Sequence, residues 1–282
     1  MKEKSPSRFA TAPIHKGAYN EGEIQMILAI DVGNTNIVLG TIENGEIDNI
    51  VRIHTDPRLT GTEYALTLKQ IAEFYGFDMK AMEGAIISSV VPPVTESLKL
   101  AVERTLGKKP MIVGPGIKTG MNVRIDDPST VAADLIVSSV AAMTYYGSPV
   151  IVVDMGTATT MVVIDKEGCY KGGAIVPGLK LSYASLASGT SLLPDISIIP
   201  PKKVVATNTV ECMRSGAVYG TAALLDGMID RMEQELGYEC RVVATGGLAQ
   251  SIVGHCRRDI IFDGDLILKG LWTLYQKNTK KK

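Results

Sequence analysis

The chain has 282 residues, 45% hydrophobic and 21% charged, the balance of a folded protein with enough apolar material for two buried cores. A formal net charge of −1 excludes a broad basic face for nucleic acid or acidic membrane, and the one basic cluster is the tail Lys280-Lys281-Lys282. Cys169, Cys212, Cys240 and Cys256 form no C-x-x-C pair and the three histidines stand apart, which excludes a zinc-finger spacing and gives no disulfide framework. A reduced, cytoplasmic setting is expected, and no apolar run approaches the ~20 residues of a membrane span.

Residues 1–25 are polar, carry charges throughout and lack a continuous apolar stretch, so a secretory signal is not expected. They read as a disordered extension, with Met26 as a second, more natural start. The apolar run Met26–Ile30 predicts a strand that ends in Asp31-Val32-Gly33-Asn34-Thr35-Asn36. A second strand is expected over Ile37–Ile42, then a turn at Gly45. Residues 62–76 place Tyr64, Leu68, Ile71, Ala72 and Tyr75 on one helical face. Gly84–Val90 reads as a buried strand, Pro93–Leu106 as a helix and Pro110–Val113 as a strand. Val113-Gly114-Pro115-Gly116 suggests a boundary near residue 115, giving domains 26–115 and 116–282. Ala133–Tyr146 predicts a helix running back across an inter-domain cleft.

The pattern then repeats. Val150–Val153 is a second apolar run, followed by Asp154-Met155-Gly156-Thr157-Ala158-Thr159 and a strand over Thr160–Ile164. Asp31 and Asp154, Gly33 and Gly156, and Gly45 and Gly168 are all separated by the same number of residues. Gly172–Gly178 is a Gly-rich strand and turn, either packing strand or floor of a small-molecule pocket. Thr209–Leu236 predicts one long helix with Val210, Met213, Ala217, Gly220, Leu224 and Met228 inward, and with Gly216 and Gly220 permitting close packing. A strand at Arg241–Ala244, the turn Thr245-Gly246-Gly247, a helix from Leu248 and a closing helix at Asp265–Tyr275 complete the chain. This order predicts a mixed α/β protein with helix-covered sheets.

An Asp-x-Gly at a strand end suits phosphate and cation chemistry. The carboxylate can hold a hydrated Mg²⁺, and the glycine admits a phosphate close to the backbone. A single copy is better explained by a hairpin turn. Two copies, each opening a sheet, favour a paired phosphate clamp. The T-G-G turn admits a flat ring or a helix N-terminus, although an ordinary strand-to-helix loop would look the same. Asp134 begins an apolar helix, where a carboxylate is commonly stabilised by the helix dipole. His54, His255 and the cysteines read as packing residues. There is no G-x-x-x-x-G-K-[ST] loop and no G-x-S-x-G elbow.

Asp31–Gly40 (DVGNTNIVLG), Asp154–Thr160 (DMGTATT), Gly172–Gly178 (GGAIVPG), Asn208-Thr209 with Gly216, and Thr245-Gly246-Gly247 occur in the order seen in type III pantothenate kinases, which this sequence resembles over essentially residues 26–275. The resemblance implies two ribonuclease-H-like domains of the actin/hexokinase/Hsc70 superfamily, with a nucleotide cleft between them and a homodimeric assembly. It implies ATP-dependent phosphorylation of pantothenate to 4′-phosphopantothenate, the first step towards coenzyme A. Asp31, Val32, Gly33, Asn34, Thr35, Asn36, Ile37 and Val38 would bind ATP phosphates, Asp31 also Mg²⁺. Thr157 would touch ATP. Asp154 would bind a monovalent cation, K⁺ or NH₄⁺. Ala132, Ala133, Asp134, Leu135 and Thr209 would line the pantothenate site, with Asp134 as general base.

Two departures stand out. The family's substrate segment usually reads G-A-D-R, whereas this chain has Ala132-Ala133-Asp134-Leu135, and Ile125 replaces a tyrosine of many relatives. Arg124 or Arg214 are candidates to supply the missing guanidinium. Two other readings follow: a kinase of this fold acting on another small alcohol, or a nucleotide-binding regulator of the Bvg-accessory-factor type that does not turn over.

Overall fold

The computed structural model describes residues 25–279. The extension expected to be disordered lies outside these residues except for Gln25, as does the Lys280–Lys282 tail. The chain forms two compact units. One comprises residues 25–122, 126–144 and 265–279. The other comprises 123–125 and 145–264. The chain thus passes between units more than once, whereas the sequence division cut it once.

In the first unit, β1 (Met26–Val32) is the central strand of a sheet ordered β3-β2-β1-β4-β5, with β2 at Asn36–Glu43, β3 at Glu46–His54, β4 at Gly84–Ser89 and β5 at Met111–Ile112. β1 runs antiparallel to β2 and parallel to β4. Alternate residues serve opposite faces. Leu28, Ile30, Val32, Ala85 and Ile87 pack against α1 (Gly61–Tyr75) and α2 (Pro92–Leu106) through Tyr64, Leu68, Leu98 and Val102. A capping box sets the start of α1: Thr60 Oγ1 accepts from the Glu63 N–H, and the Glu63 carboxylate accepts from the Thr60 N–H at 2.7 Å. The other sheet face meets the closing helix α8 (Leu266–Thr279). A Cβ at Gly40 would lie 2.8 Å from Leu268, and one at Gly84 would overlap Tyr275. Gly270 of α8 lies against the Val137 carbonyl of α3 (Ala133–Tyr146) so closely that a Cβ would overlap it.

The second unit repeats the plan. Its sheet contains β7 (Val150–Met155), β8 (Ala158–Ile164), β9 (Cys169–Pro177), β10 (Arg241–Thr245), β11 (Ile261–Phe262) and the short β6 (Asn122–Val123), in the order β11-β10-β7-β8-β9-β6. β7 is antiparallel to β8 and parallel to β10. The arrangement β3-β2-β1-β4-β5 therefore recurs as β9-β8-β7-β10-β11, and the sequence repeat is a structural one. β6 and β11 carry no period and were not predicted.

Helices α4 (Leu179–Ser188), α5 (Thr209–Ser215), α6 (Thr221–Leu236) and α7 (Ala249–Val253) cover this sheet through Leu179, Ala217, Val218, Ala222, Leu225, Ile229 and Ile252. The single helix expected over Thr209–Leu236 is interrupted by a π turn at Gly216–Gly220. Its wider turn inserts one residue and shifts the inward face by one position. Met213 and Ala217 are buried as expected, but beyond the turn Leu225 and Ile229 face inward instead of Leu224 and Met228. Gly216 lies 2.7 Å, from its Cβ position, to Tyr183 Oη, whereas Gly220 faces open space, which corrects the packing role assigned to it.

Buried carboxylates in this unit are used for construction. Asp226 accepts hydrogen bonds from the Arg257 and Arg258 N–H groups at 2.9–3.0 Å. Glu233 accepts from the Cys240 N–H at 2.7 Å and pairs with the Arg258 guanidinium. Tyr146 donates to Asp263 at 2.7 Å, and burial with this carboxylate raises the Tyr146 pKa.

Two glycines separate packing from propensity. Alanine is favoured over glycine inside a helix by about 1 kcal/mol, while overpacking costs about 1–3 kcal/mol. Gly270→Ala should therefore lower the melting temperature, because α3 cannot yield a backbone carbonyl. Gly220→Ala should leave it unchanged or raise it. Thermal unfolding of both variants beside wild type checks the signs.

Candidate functional site

The residues singled out in sequence fall in two groups, one in each unit. In the first unit, Asp31 is the penultimate residue of β1, and the chain turns at Gly33 before β2. The Gly33 N–H donates to the Asn36 carbonyl at 3.0 Å, and Thr55 closes the turn from outside, its Oγ1 donating to the Gly33 carbonyl at 2.7 Å and its N–H to Thr35 at 3.0 Å. Asn34 and Thr35 are exposed at the tip. Val32 and Ile37 point into the core at 1% and 0% exposure, so these positions can offer a ligand only main-chain groups. Val38, the register partner of Asp31, is half-buried.

Asp134 belongs to the same unit, in the first turn of α3. Ala132, Ala133 and Leu135 around it are half-buried. Its Oδ1 accepts from the Leu135 N–H at 2.8 Å. Burial raises the Asp134 pKa, and the hydrogen bond from Leu135 opposes this without overcoming it. A carboxylate held mainly by a helix dipole would move the other way. Desolvation dominates here, which is the usual state of a carboxylate kept for proton transfer.

In the second unit, Asp154 is the penultimate residue of β7, and Gly156-Thr157 turns the chain into β8. Between the register pairs, residues 33–36 form the first turn and residues 156–158 the second, which is one residue shorter. Two other glycine motifs press on this turn. Gly178, just before α4, donates its N–H to the Thr157 carbonyl at 3.0 Å, and a Cβ there would overlap the Gly156 and Thr157 carbonyls. Gly246 has φ +95°, and its Cβ position lies 2.7 Å from Asp154 Oδ1 and from the Met155 backbone nitrogen. Only glycine fits both that conformation and that gap. Gly173 lies against the Met161 carbonyl of β8, leaving no space for a side chain. The Gly172–Gly178 segment is thus packing strand at one end and turn support at the other.

Beside this turn is a cavity of about 390 Å³ lined by Lys180, Tyr183, Asp195, Ser197, Ile198 and Leu248. Sequence reading missed it, because 195–198 has no period and Lys180 has no motif; only Leu248, next to the T-G-G turn, gave a signal. Thr209 is exposed at the start of α5, after the N-cap Asn208, whose Oδ1 accepts from the Glu211 N–H at 3.0 Å. Arg214 is engaged with Glu211 at 2.8 Å and Ser197 at 3.1 Å, and Arg124 is exposed.

Among the described residues no three His, Cys, Asp or Glu side chains cluster as a metal site. A divalent ion would be held by one carboxylate and by phosphate oxygens, the habit of Mg²⁺ rather than of zinc. Asp31 fits that donor set. Asp154 is the second oxygen donor in a comparable position, at the end of β7. Two of the thiols are held in the unreactive protonated form: burial raises Cys240 to about 11 and Cys256 to about 12. Among the described residues no helix is long and apolar enough to cross a membrane.

Comparison with solved structures places this architecture. A protein described as a Baf family transcriptional activator from Campylobacter jejuni superposes with TM-score 0.51 at 18% identity, covering 89% of this chain and 98% of that one. Component A of (R)-2-hydroxyglutaryl-CoA dehydratase from Acidaminococcus fermentans gives 0.54 at 14%, covering 89% and 97%. MreB 5 of Spiroplasma citri, bound to AMPPNP, gives 0.51 at 11%, covering 90% and 97%. At these identities the likeness is one of fold, that of the actin/hexokinase-like ATPases. The profile of type III pantothenate kinases matches residues 27–231, a span that takes in both Asp-x-Gly turns, Asp134 and Thr209. The chain therefore belongs to the type III pantothenate kinase family.

Proposed function

We propose that this kinase transfers the γ-phosphoryl group of ATP to the primary hydroxyl of pantothenate, giving 4′-phosphopantothenate in the cytoplasm. The observation that carries the reading is Asp134: a partly desolvated carboxylate at the start of α3, in the segment that the resemblance assigns to substrate. The transition state of phosphoryl transfer is loose, with little bond formation to the attacking oxygen. Asp134 need only hold the hydroxyl in line and accept its proton late. By the family resemblance, the turn after Asp31 would offer main-chain N–H groups and Thr35 to phosphate, and the turn after Asp154 would offer Thr157. Mg²⁺ at Asp31, when bound, would neutralise charge on the phosphates.

Leu135 offers no guanidinium to the substrate, so its effect belongs to binding more than to proton transfer. A kinase acting on another small alcohol is the second reading, and Leu135 is the residue that favours it. ATP consumption measured with pantothenate, without it, and with a panel of small alcohols separates the two. Pantothenate should be the preferred acceptor. No acceptor-dependent turnover at all would favour a non-catalytic regulator. In the same assay Asp134→Asn should lower turnover by roughly 10²–10⁴-fold, and the acid limb of the rate profile should lie above the ordinary carboxylate range, because the base must be ionised and burial raises its pKa. Stability carries the opposite sign. A folded-state pKa above the unfolded value means stability is lost as pH rises through the folded pKa, so at neutral pH Asp134→Asn should melt higher than wild type. A lower melting point with full turnover would return Asp134 to a helix-start role.

Turnover should depend on K⁺ or NH₄⁺ as well as Mg²⁺. The basis is Asp154, a carboxylate at the strand end of the second Asp-x-Gly motif, where a monovalent charge would help neutralise the phosphates during transfer. Rates in buffers containing only Na⁺ should fall well below those in K⁺, and equality would remove the assignment.

The protein is expected to be a homodimer. Large apolar side chains left exposed are concentrated in the second unit, with Ile175 at 73%, Leu181 at 50%, Leu192 at 89% and Val205 at 83%. Such a concentration is unusual for a free surface. Light scattering of an active sample should give twice the chain mass, and Leu192→Asp with Val205→Asp should reduce it; a monomeric active enzyme would overturn the expectation.

A further inference from the structure

The structural repeat places a hydroxyl beside each motif carboxylate. In the parallel register of β1 and β4, the residue opposite Asp31 is Ser88. In the parallel register of β7 and β10, the residue opposite Asp154 is Thr245. Register partners on adjacent strands point to the same face, about 4.8 Å apart. The coincidence holds in both halves although the surrounding sequences differ, Ser88 lying in Ile86-Ile87-Ser88-Ser89 and Thr245 in Val243-Ala244-Thr245-Gly246.

Ser88 is 0% exposed, and its Oγ has no hydrogen-bond partner among the described residues. Its neighbour Ser89 shows the contrast: Ser89 Oγ accepts from the Val91 N–H at 3.1 Å and from Thr95 Oγ1 at 2.7 Å. A buried hydroxyl without a partner disfavours the folded state, and alanine of nearly the same shape would not. Ser88 therefore adds nothing to packing that alanine would lack. It sits near the carboxyl end of β4, level with Asp31 at the carboxyl end of β1, and ligands of open α/β sheets bind outside those ends. A water shared with the carboxylate is the partner of the right size and chemistry.

We infer that Ser88 is a positioning residue of the phosphoryl-transfer site: its hydroxyl binds a water held against the Asp31 carboxylate and so fixes where the hydrated divalent ion and its nucleotide sit. This rests on the assignment of Asp31 to that ion. The role belongs to binding and alignment, and proton transfer stays with Asp134.

The test uses the full chain with AMPPNP and Mn²⁺ in place of Mg²⁺, free Mn²⁺ being read by its electron paramagnetic resonance. Ser88→Ala should weaken Mn²⁺ binding about 3–10-fold, the range of one hydrogen bond, while its melting temperature without ligands stays equal or rises. Ser88→Thr, the residue found at the matching position of the second unit, should recover part of the affinity. Ser139→Ala is the control. Ser139 Oγ is also buried without a partner, on α3, and has no motif carboxylate in register; its removal should leave Mn²⁺ affinity at the wild-type value. In turnover, Ser88→Ala should raise the Mg²⁺ requirement more than it lowers kcat. If Ser88→Ala binds Mn²⁺ like wild type while Asp31→Asn weakens it tenfold or more, the inference about Ser88 falls and the Asp31 assignment stands. If Asp31→Asn also binds normally, both fall.

Discussion

The close approach of Gly246 to Asp154 is a constraint on which the second unit's central turn depends. A turn with φ +95° brings a backbone to within reach of a carboxylate that itself ends a central strand, and no side chain fits between them. Because Gly178 is pressed in the same way onto the carbonyls of Gly156 and Thr157, the turn after Asp154 is held between two glycine backbones. Main-chain groups keep their positions better than flexible side chains. Pre-organised N–H groups and carbonyls are what phosphoryl transfer asks of a protein, since the chemistry is mostly positioning and charge.

The acidic residues divide by how fully they are satisfied. Asp226 and Glu233 are buried and surrounded by donors, from Arg257, Arg258 and Cys240. Each fixes a loop to α6, and the chemistry of the site does not require them. Asp134 is half-buried, its carboxylate accepting from the Leu135 N–H, and desolvation outweighs that bond. Burial raises its pKa, which costs the fold stability when the group is ionised and would serve the base role proposed for it.

Much of this was legible in the sequence for a definite reason. Central strands such as Met26–Val32 and Val150–Met155 are apolar runs closed by Asp-x-Gly, and strand runs that end in a glycine turn leave little ambiguity. Their equal spacing disclosed the repeat, and the duplicate sheet order follows it. What escaped was whatever lacks a period. The two-residue pairings at Asn122–Val123 and Ile261–Phe262 are fixed by neighbours far along the chain. The cavity at Lys180 and Ser197 depends on an extended segment whose path no local pattern states. Ser88 read as one small residue in a buried strand, and only the register to Asp31 gave it meaning. Asp134 was found by motif, but whether dipole or burial governs it required its surroundings.

The π turn at Gly216–Gly220 has a bearing on how the length of this chain can drift. Each residue of an α-helix advances the side chains by about 100°. Upstream of the turn, Met213 is buried; downstream, Leu225 and Ile229 are. Loss of a single residue within the turn would restore regular winding but rotate one half against the other, so that one of the two apolar stripes would face water. A chain one residue shorter here would need a differently phased apolar pattern on one side to keep both stripes inward, because one residue turns the two halves by about 100° against each other.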